Sequence, residues 1–213
     1  MVRYQRKLPW KYVTLDATGT LIRPRQSIGC TYVDHFQQIT RHALSSERRE
    51  RAEEHVNHRF PIVFSALSAA KPNFGKRTVV AGRGAPATAL SWWDELVLDV
   101  LPSELVREIP DNAAYQFTCD VYAHYASGGA WHVFDDVRYA LDHLREDGVV
   151  LGVISNFDER LEGILQDVAL REYFDVVTTS WRHGVMKPDE SIFTTTFAQL
   201  KREASSGDVL WTA

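Results

Sequence analysis

From Asp135 onward, apolar runs too short for helices alternate with amphipathic stretches of helical period, and few folds accommodate that pattern. "VVLGVISN" (149–156) is valine-rich and bounded by Gly148 and Asn156, so it is predicted to be a buried strand, and "FDVVTTS" (174–180) is predicted to be another. Amphipathic segments flank them. "DDVRYALDHLREDG" (135–148) sets Val137, Ala140, Leu141 and Leu144 on one face and ends on a glycine. "ERLEGILQDVAL" gathers Leu161, Ile164, Leu165 and Val168, and "ESIFTTTFAQLKRE" gathers Ile192, Phe193, Phe197 and Leu200. Strand–helix–strand order of this kind predicts an α/β fold with a Rossmann-like parallel sheet. "DVLWTA" (208–213) begins a further strand, the fourth of the expected core, inside which the chain ends.

The first strand, Tyr12–Leu15, stands far upstream. Between it and the alternating region, "YVDHFQQITRHAL", "SSERRERAEEHVNHRFPIVFSAL", "LSWWDELVLDVL" and "NAAYQFTCDVYAHYA" all carry helical patterning. "AAKPNFGKRTVVAGRGAPAT" (69–88) is predicted to be a loop. The expected organisation is a core domain of residues 1–23 and 131–213, interrupted by a helical cap domain of residues 24–130. At 213 residues and 45% apolar content, the chain can bury a core and an insert of this size.

The net charge of -4 gives no electrostatic reason to expect nucleic acid or an anionic membrane as partner. No apolar run reaches the length of a membrane span. Cys30 and Cys119 are too few for a disulfide framework, which predicts a reducing, cytoplasmic setting. The basic start, "MVRYQRKLPWKY", is expected to be a short lead-in to the first strand.

In an open parallel sheet, ligands bind off the carboxyl ends of the strands. In "YVTLDATGTLI" (12–22) the first strand ends on Asp16. Ser155 and Asn156 end the second, and Lys187 follows the third in "RHGVMKPDESIF". A carboxylate, a hydroxyl and an ammonium are thereby expected to share one crevice. Gly19 allows the chain to turn sharply after Asp16. The alternative for Asp16 alone is a helix N-cap.

Three stretches, "LDATGTL", "GVISN" and "VMKPDESIF", in this order and with a helical insert after the first, resemble the haloacid dehalogenase superfamily. Within it, "GVISNFDERLEGIL", "PNFG" and "SWWDELVLDVL" are most similar to the haloacid dehalogenase-like hydrolase domain-containing protein three group. The resemblance implies a nucleophilic Asp16, phosphate binding by Ser155, the amide of Asn156 and Gly19, and an electrostatic clamp at Lys187. It further implies Mg²⁺ on the Asp16 carboxylate and the Thr18 carbonyl. The expected substrate is a small phosphorylated metabolite, attacked through an aspartyl-phosphate.

Two departures bear on activity. Thr18 stands where family phosphatases usually carry a second aspartate, so general acid–base help worth roughly 10²–10⁴-fold is expected to be missing. The cation-pumping ATPases, whose "DKTGT" resembles "DATGT", and the haloacid dehalogenases also lack that acid. Acyl phosphates, nucleotides, activated phenols and halides, which leave without a proton, would suffer least. The family's fourth motif, a Gly-Asp followed by another acid, should come after the fourth strand, whereas Gly207 and Asp208 precede it. Part of the metal site is therefore expected to be missing from this sequence. Both departures keep two other functions in view: 2-haloacid dehalogenation, which needs neither metal nor leaving-group acid, and a non-catalytic binding protein of the same fold.

The remaining candidates have plain explanations. Trp92 and Trp93 are expected in the helical core. His55 and His58 share a helix face among "ERRERAEE", an exposed run with mixed-sign charge pairs. Arg77 and Arg83 lie in the 69–88 loop, either a specificity segment or a linker.

Overall fold

The computed structural model describes residues 11–76 and 88–207. Three parallel strands, β1 (Tyr12–Leu15), β4 (Val150–Ser155) and β5 (Val176–Thr179), form a sheet in the order β1-β4-β5. The registers place Leu15 opposite Val153 and Ser155 opposite Thr179. β4 is central, and five of its six residues are buried, which explains its unbroken apolar run. Helix α6 (Val137–Glu146) precedes β4, and Gly148, at φ 73°, turns the chain between them. Helix α7 (Leu161–Asp167) carries the crossover from β4 to β5. Helix α9 (Glu190–Gly207) lies over the sheet at Gly152, where an added Cβ would come within 3.2 Å of Leu200. Leu141, Leu151, Val153, Leu161, Ile164 and Leu165 are buried in one cluster with Trp131.

A second buried cluster belongs to the intervening helices. These are α1 (Ile28–Thr40), α2 (Ser46–Ala70), α3 (Leu90–Asp99), the short α4 (Ser103–Val106) and α5 (Ala114–His124). Tyr32, Val33, Phe36, Val56, Trp92, Leu96 and Phe117 form its centre, and Tyr125 packs against both clusters. Helices α1 and α2 approach closely because Gly29 has no side chain: a Cβ there would sit 2.2 Å from the Glu53 carbonyl oxygen. Gly29→Ala is therefore expected to cost about 1–3 kcal/mol in urea unfolding, as overpacked sites do.

The structure adds elements that the sequence patterns did not predict. Strands β2 (Ile22–Pro24) and β3 (Trp131–Val133) pair antiparallel, Ile22 with Val133 and Pro24 with Trp131. Each has only three residues, too few to show a period, and they are far apart in the chain. Ser180, expected to end a strand, instead opens helix α8 (Ser180–His183), with the Thr179 hydroxyl accepting from the Arg182 N–H. The expected 69–88 loop begins inside α2, which passes through Pro61 and ends at Ala70, and it then contains a 3₁₀ turn at Asn73–Gly75. The basic start through Trp10, Arg77, Arg83 and the strand expected at 208–213 lie outside the described residues. Among the described residues, no helix is long and apolar enough to cross a membrane.

Candidate active site

Asp16 leaves the carboxyl end of β1 and accepts a hydrogen bond from the Ala17 N–H on Oδ1 at 2.7 Å. The next residues fold back: Leu21 N–H donates to the Ala17 carbonyl and Gly19 N–H to that of Ile22, each at 2.8 Å. Gly19 stands at φ 81°, a conformation that side chains disfavour, so glycine suits this turn for the reason its position suggested. Thr18 is exposed in the same turn.

Lys187 reaches Asp16 from the loop between α8 and α9. Its Nζ lies 3.0 Å from Asp16 Oδ2 and donates to the Ile154 carbonyl at 2.9 Å. The ammonium is thus fixed between the ends of β1 and β4. Asn156 holds the loop that carries it: the Asn156 amide donates to the Lys187 carbonyl at 3.0 Å, and Lys187 N–H donates to Asn156 Oδ1 at 2.7 Å. The side chain of Asn156 is therefore a positioning group for Lys187, a role its place at a strand end did not announce. Ser155 closes β4 and is only 3% exposed. Asp16 and Lys187 retain 42% and 22% side-chain exposure, so a ligand can reach both.

A cavity of about 260 Å³ opens beside this turn. Its lining includes Thr18, Asn156, Asp158 and Arg160 together with the rings of Phe60, Phe64, Phe74, Trp93, Tyr125, Trp131 and Phe157. Trp92 is core, as expected, but its neighbour Trp93 also forms cavity wall. His55 and His58 are exposed on α2, and the run 47–54 carries the pairs Arg51–Glu47 and Arg49–Glu53.

The loop after β4 holds residues that sequence reasoning missed. Asp158 is fully buried, and its carboxylate accepts from Arg160 Nη2 at 2.6 Å, from Arg160 Nε at 2.9 Å and from Trp93 Nε1 at 2.8 Å. Arg160 also donates to the Tyr122 carbonyl at 3.1 Å and lies 3.9 Å from that ring's centroid. Glu159 accepts from the Ala89 N–H at 3.1 Å and from the Tyr122 hydroxyl. Burial, with Asp158 and the bond to Glu159 acting in the same direction, pushes the Tyr122 phenol well above its usual range, so it remains a donor. Three consecutive side chains thus fasten α3 and α5 to the loop that ends in the site. The sequence "FDER" resembles an ordinary helix start, and nothing in its pattern marks these charges as buried. Asp158→Ala is expected to lower stability by about 3–5 kcal/mol in denaturant titration, because Arg160 would remain buried without its partner.

The two groups that the sequence marks as donors for a metal ion, the Asp16 carboxylate and the Thr18 carbonyl, lie close together in the chain just after β1. Among the described residues no group of three or more His, Cys, Asp or Glu side chains is placed to hold one. Two oxygen ligands nonetheless fit Mg²⁺, which is usually held by one or two carboxylates and otherwise by waters and substrate phosphate.

A carboxylate and an ammonium at the carboxyl ends of adjacent parallel strands, reached through a Gly-containing turn, define a class, and the sequence comparison agrees. The chain belongs to the haloacid dehalogenase-like hydrolase family, which it matches over residues 10–210. It is 33% identical to the Bos taurus haloacid dehalogenase-like hydrolase domain-containing protein 3, over 88% of this chain and 68% of that protein. It is 30% identical to the Danio rerio protein of the same name, over 94% and 76%. In three dimensions it is similar to the L-2-haloacid dehalogenase from Xanthobacter autotrophicus, with a TM-score of 0.54 and 19% identity over 87% of this chain and 63% of that one, a likeness of fold.

Proposed function

We propose that the protein is a phosphohydrolase or phosphotransferase that forms an aspartyl-phosphate on Asp16 from a small phosphorylated metabolite. The observation that carries this reading is the Asp16–Lys187 pair, 3.0 Å apart and still open to a ligand. A carboxylate attacking a phosphate ester meets like charge, and the fixed ammonium of Lys187 offsets it as charge shifts among the phosphoryl oxygens. Ser155 and the backbone amide of Asn156 hold those oxygens in this reading, and Gly19 gives them room. Asp16 and the Thr18 carbonyl would hold Mg²⁺, whose charge, when it is bound, lowers the repulsion further. The helices of residues 24–130 act as a cap that excludes water. A reducing, cytoplasmic setting accompanies this reading, since two cysteines are too few for a disulfide framework.

The test is phosphate release from a panel of phosphate monoesters with Mg²⁺, by the wild type and by Asp16→Asn. Release that depends on Asp16 supports the reading, and equal release by both proteins overturns it. A second reading, 2-haloacid dehalogenation, is favoured by Thr18, since displacement of a halide needs no proton donor. It would show as halide release that EDTA leaves intact.

A further inference from the structure

The cavity beside Asp16 has a composition that selects among phosphate esters. Its wall is dominated by the rings of Phe60, Phe64, Phe74, Trp93, Trp131 and Phe157, with that of Tyr125. Among the described residues that line it the one cation, Arg160, is already committed: the guanidinium is bonded to Asp158 and to the Tyr122 carbonyl, lies 5.0 Å from the Trp93 ring centroid, and its side chain is only 7% exposed. A sugar or a carboxylic acid entering here would lose water and find little to replace it.

Backbone strain also serves this wall. Asn73 and Phe74 both adopt left-handed φ, 54° and 56°, which is costly for residues with side chains. The turn is held by Asn73 Nδ2 donating to the Ser180 carbonyl at 3.0 Å and by Lys76 Nζ donating to that of Trp181. In that conformation Phe74 forms cavity wall and meets the Trp93 ring at a centroid distance of 6.2 Å. Tyr125 adds a polar group: its hydroxyl is buried and has no hydrogen-bond partner among the described residues, and burial pushes its pKa up to about 12, so it stays protonated at neutrality. Thr31 is near enough to oppose that shift but lies outside hydrogen-bonding geometry.

We infer that the cavity receives a flat apolar leaving group and that the substrate is an aryl phosphate or a closely similar ester of an acidic hydroxyl. This rests on the phosphoryl-transfer reading of Asp16. A volume of about 260 Å³ lies just under the usual range for small-molecule pockets, roughly 300–1,000 Å³, which suits a small ring system. Thr18 points to the same substrates. Asp16 attacks phosphorus, the P–O bond to the ring breaks with its electron pair on the aryl oxygen, and that oxygen takes a proton from water. A phenol, whose pKa is near 10, leaves without help far more readily than an alcohol. Water then attacks the aspartyl-phosphate, returning the Asp16 carboxylate and releasing phosphate.

The experiment has two arms. In the first, kcat/KM is compared for 1-naphthyl phosphate, phenyl phosphate, glucose 6-phosphate and glycerol phosphate. The aryl esters are expected to be preferred by more than about 10-fold, and Phe64→Ala and Phe60→Leu to reduce naphthyl turnover by about 10–100-fold, with a smaller loss for glycerol phosphate. In the second, binding of 1-naphthylmethylphosphonate, which cannot be hydrolysed, is followed by tryptophan fluorescence in the wild type and in both variants. Binding weakened in the variants, in proteins that melt as the wild type does, supports the inference even if no ester turns over, and the failure then belongs to the phosphatase reading. Sugar phosphates hydrolysed as well as aryl ones, or a phosphonate that does not bind or binds the variants equally, overturns the inference and leaves the phosphatase reading standing.

Discussion

Asp16→Asn is expected to slow phosphate release by on the order of 10³-fold or more while leaving the protein folded. Asparagine keeps an oxygen to accept from the Ala17 N–H and removes the nucleophilic carboxylate. The ion pair to Lys187 is lost as well, but both side chains are partly exposed, and pairs of that kind are worth only about 0–1 kcal/mol. Lys187 keeps its bond to the Ile154 carbonyl, so the cation stays in place. Phosphate release and thermal melting, measured on the same preparations, separate the two effects. A stable variant that still hydrolyses at the wild-type rate would remove Asp16 from the chemistry.

Thr18→Asp should do the opposite for substrates with poor leaving groups. A carboxyl at this position can protonate the departing oxygen and later activate water, help worth roughly 10²–10⁴-fold. Thr18 is exposed and lines the cavity, so an aspartate can be accommodated. Alkyl phosphates should gain most and aryl phosphates least, since the latter leave unaided. The same reasoning predicts that the wild type accumulates its aspartyl-phosphate. Acid quenching during a single turnover, followed by mass spectrometry of the peptide containing Asp16, checks this. Steady hydrolysis with no trapped intermediate would mean that another group activates water.

The parts of this molecule that announce themselves in sequence are those made by repetition or by local chemistry. β4 was visible as a valine-rich run because it is central and covered on both faces, and α6, α7 and α9 because each buries a single stripe. The sequence marks Asp16, Lys187 and Asn156 as candidates because strand ends in a parallel sheet share one edge, and the structure joins the three by direct contacts. What escaped depends on pairings between distant residues. β2 and β3 are three residues each and recognisable only once they meet. Asp158 and Arg160 look like surface charges until α3 and α5 cover them. The aromatic wall draws on α2, α3 and the Asn73–Gly75 turn as well as on the loop after β4, so no stretch of sequence contains it.

The separation of β1 from β4 has a consequence for how the protein is made. Leu15 meets Val153, about 140 residues later in the chain. At a synthesis rate of about 5–20 residues per second, the first strand is made roughly 7–28 s before its partner. The helices made in that interval are not idle, because the cluster around Tyr32, Phe36, Trp92 and Phe117 is drawn from residues made before β4. They can assemble while β1 remains a short apolar tether with open backbone groups. The nascent chain can thus order these helices first, while the strand that precedes Asp16 stays unpaired until β4 emerges.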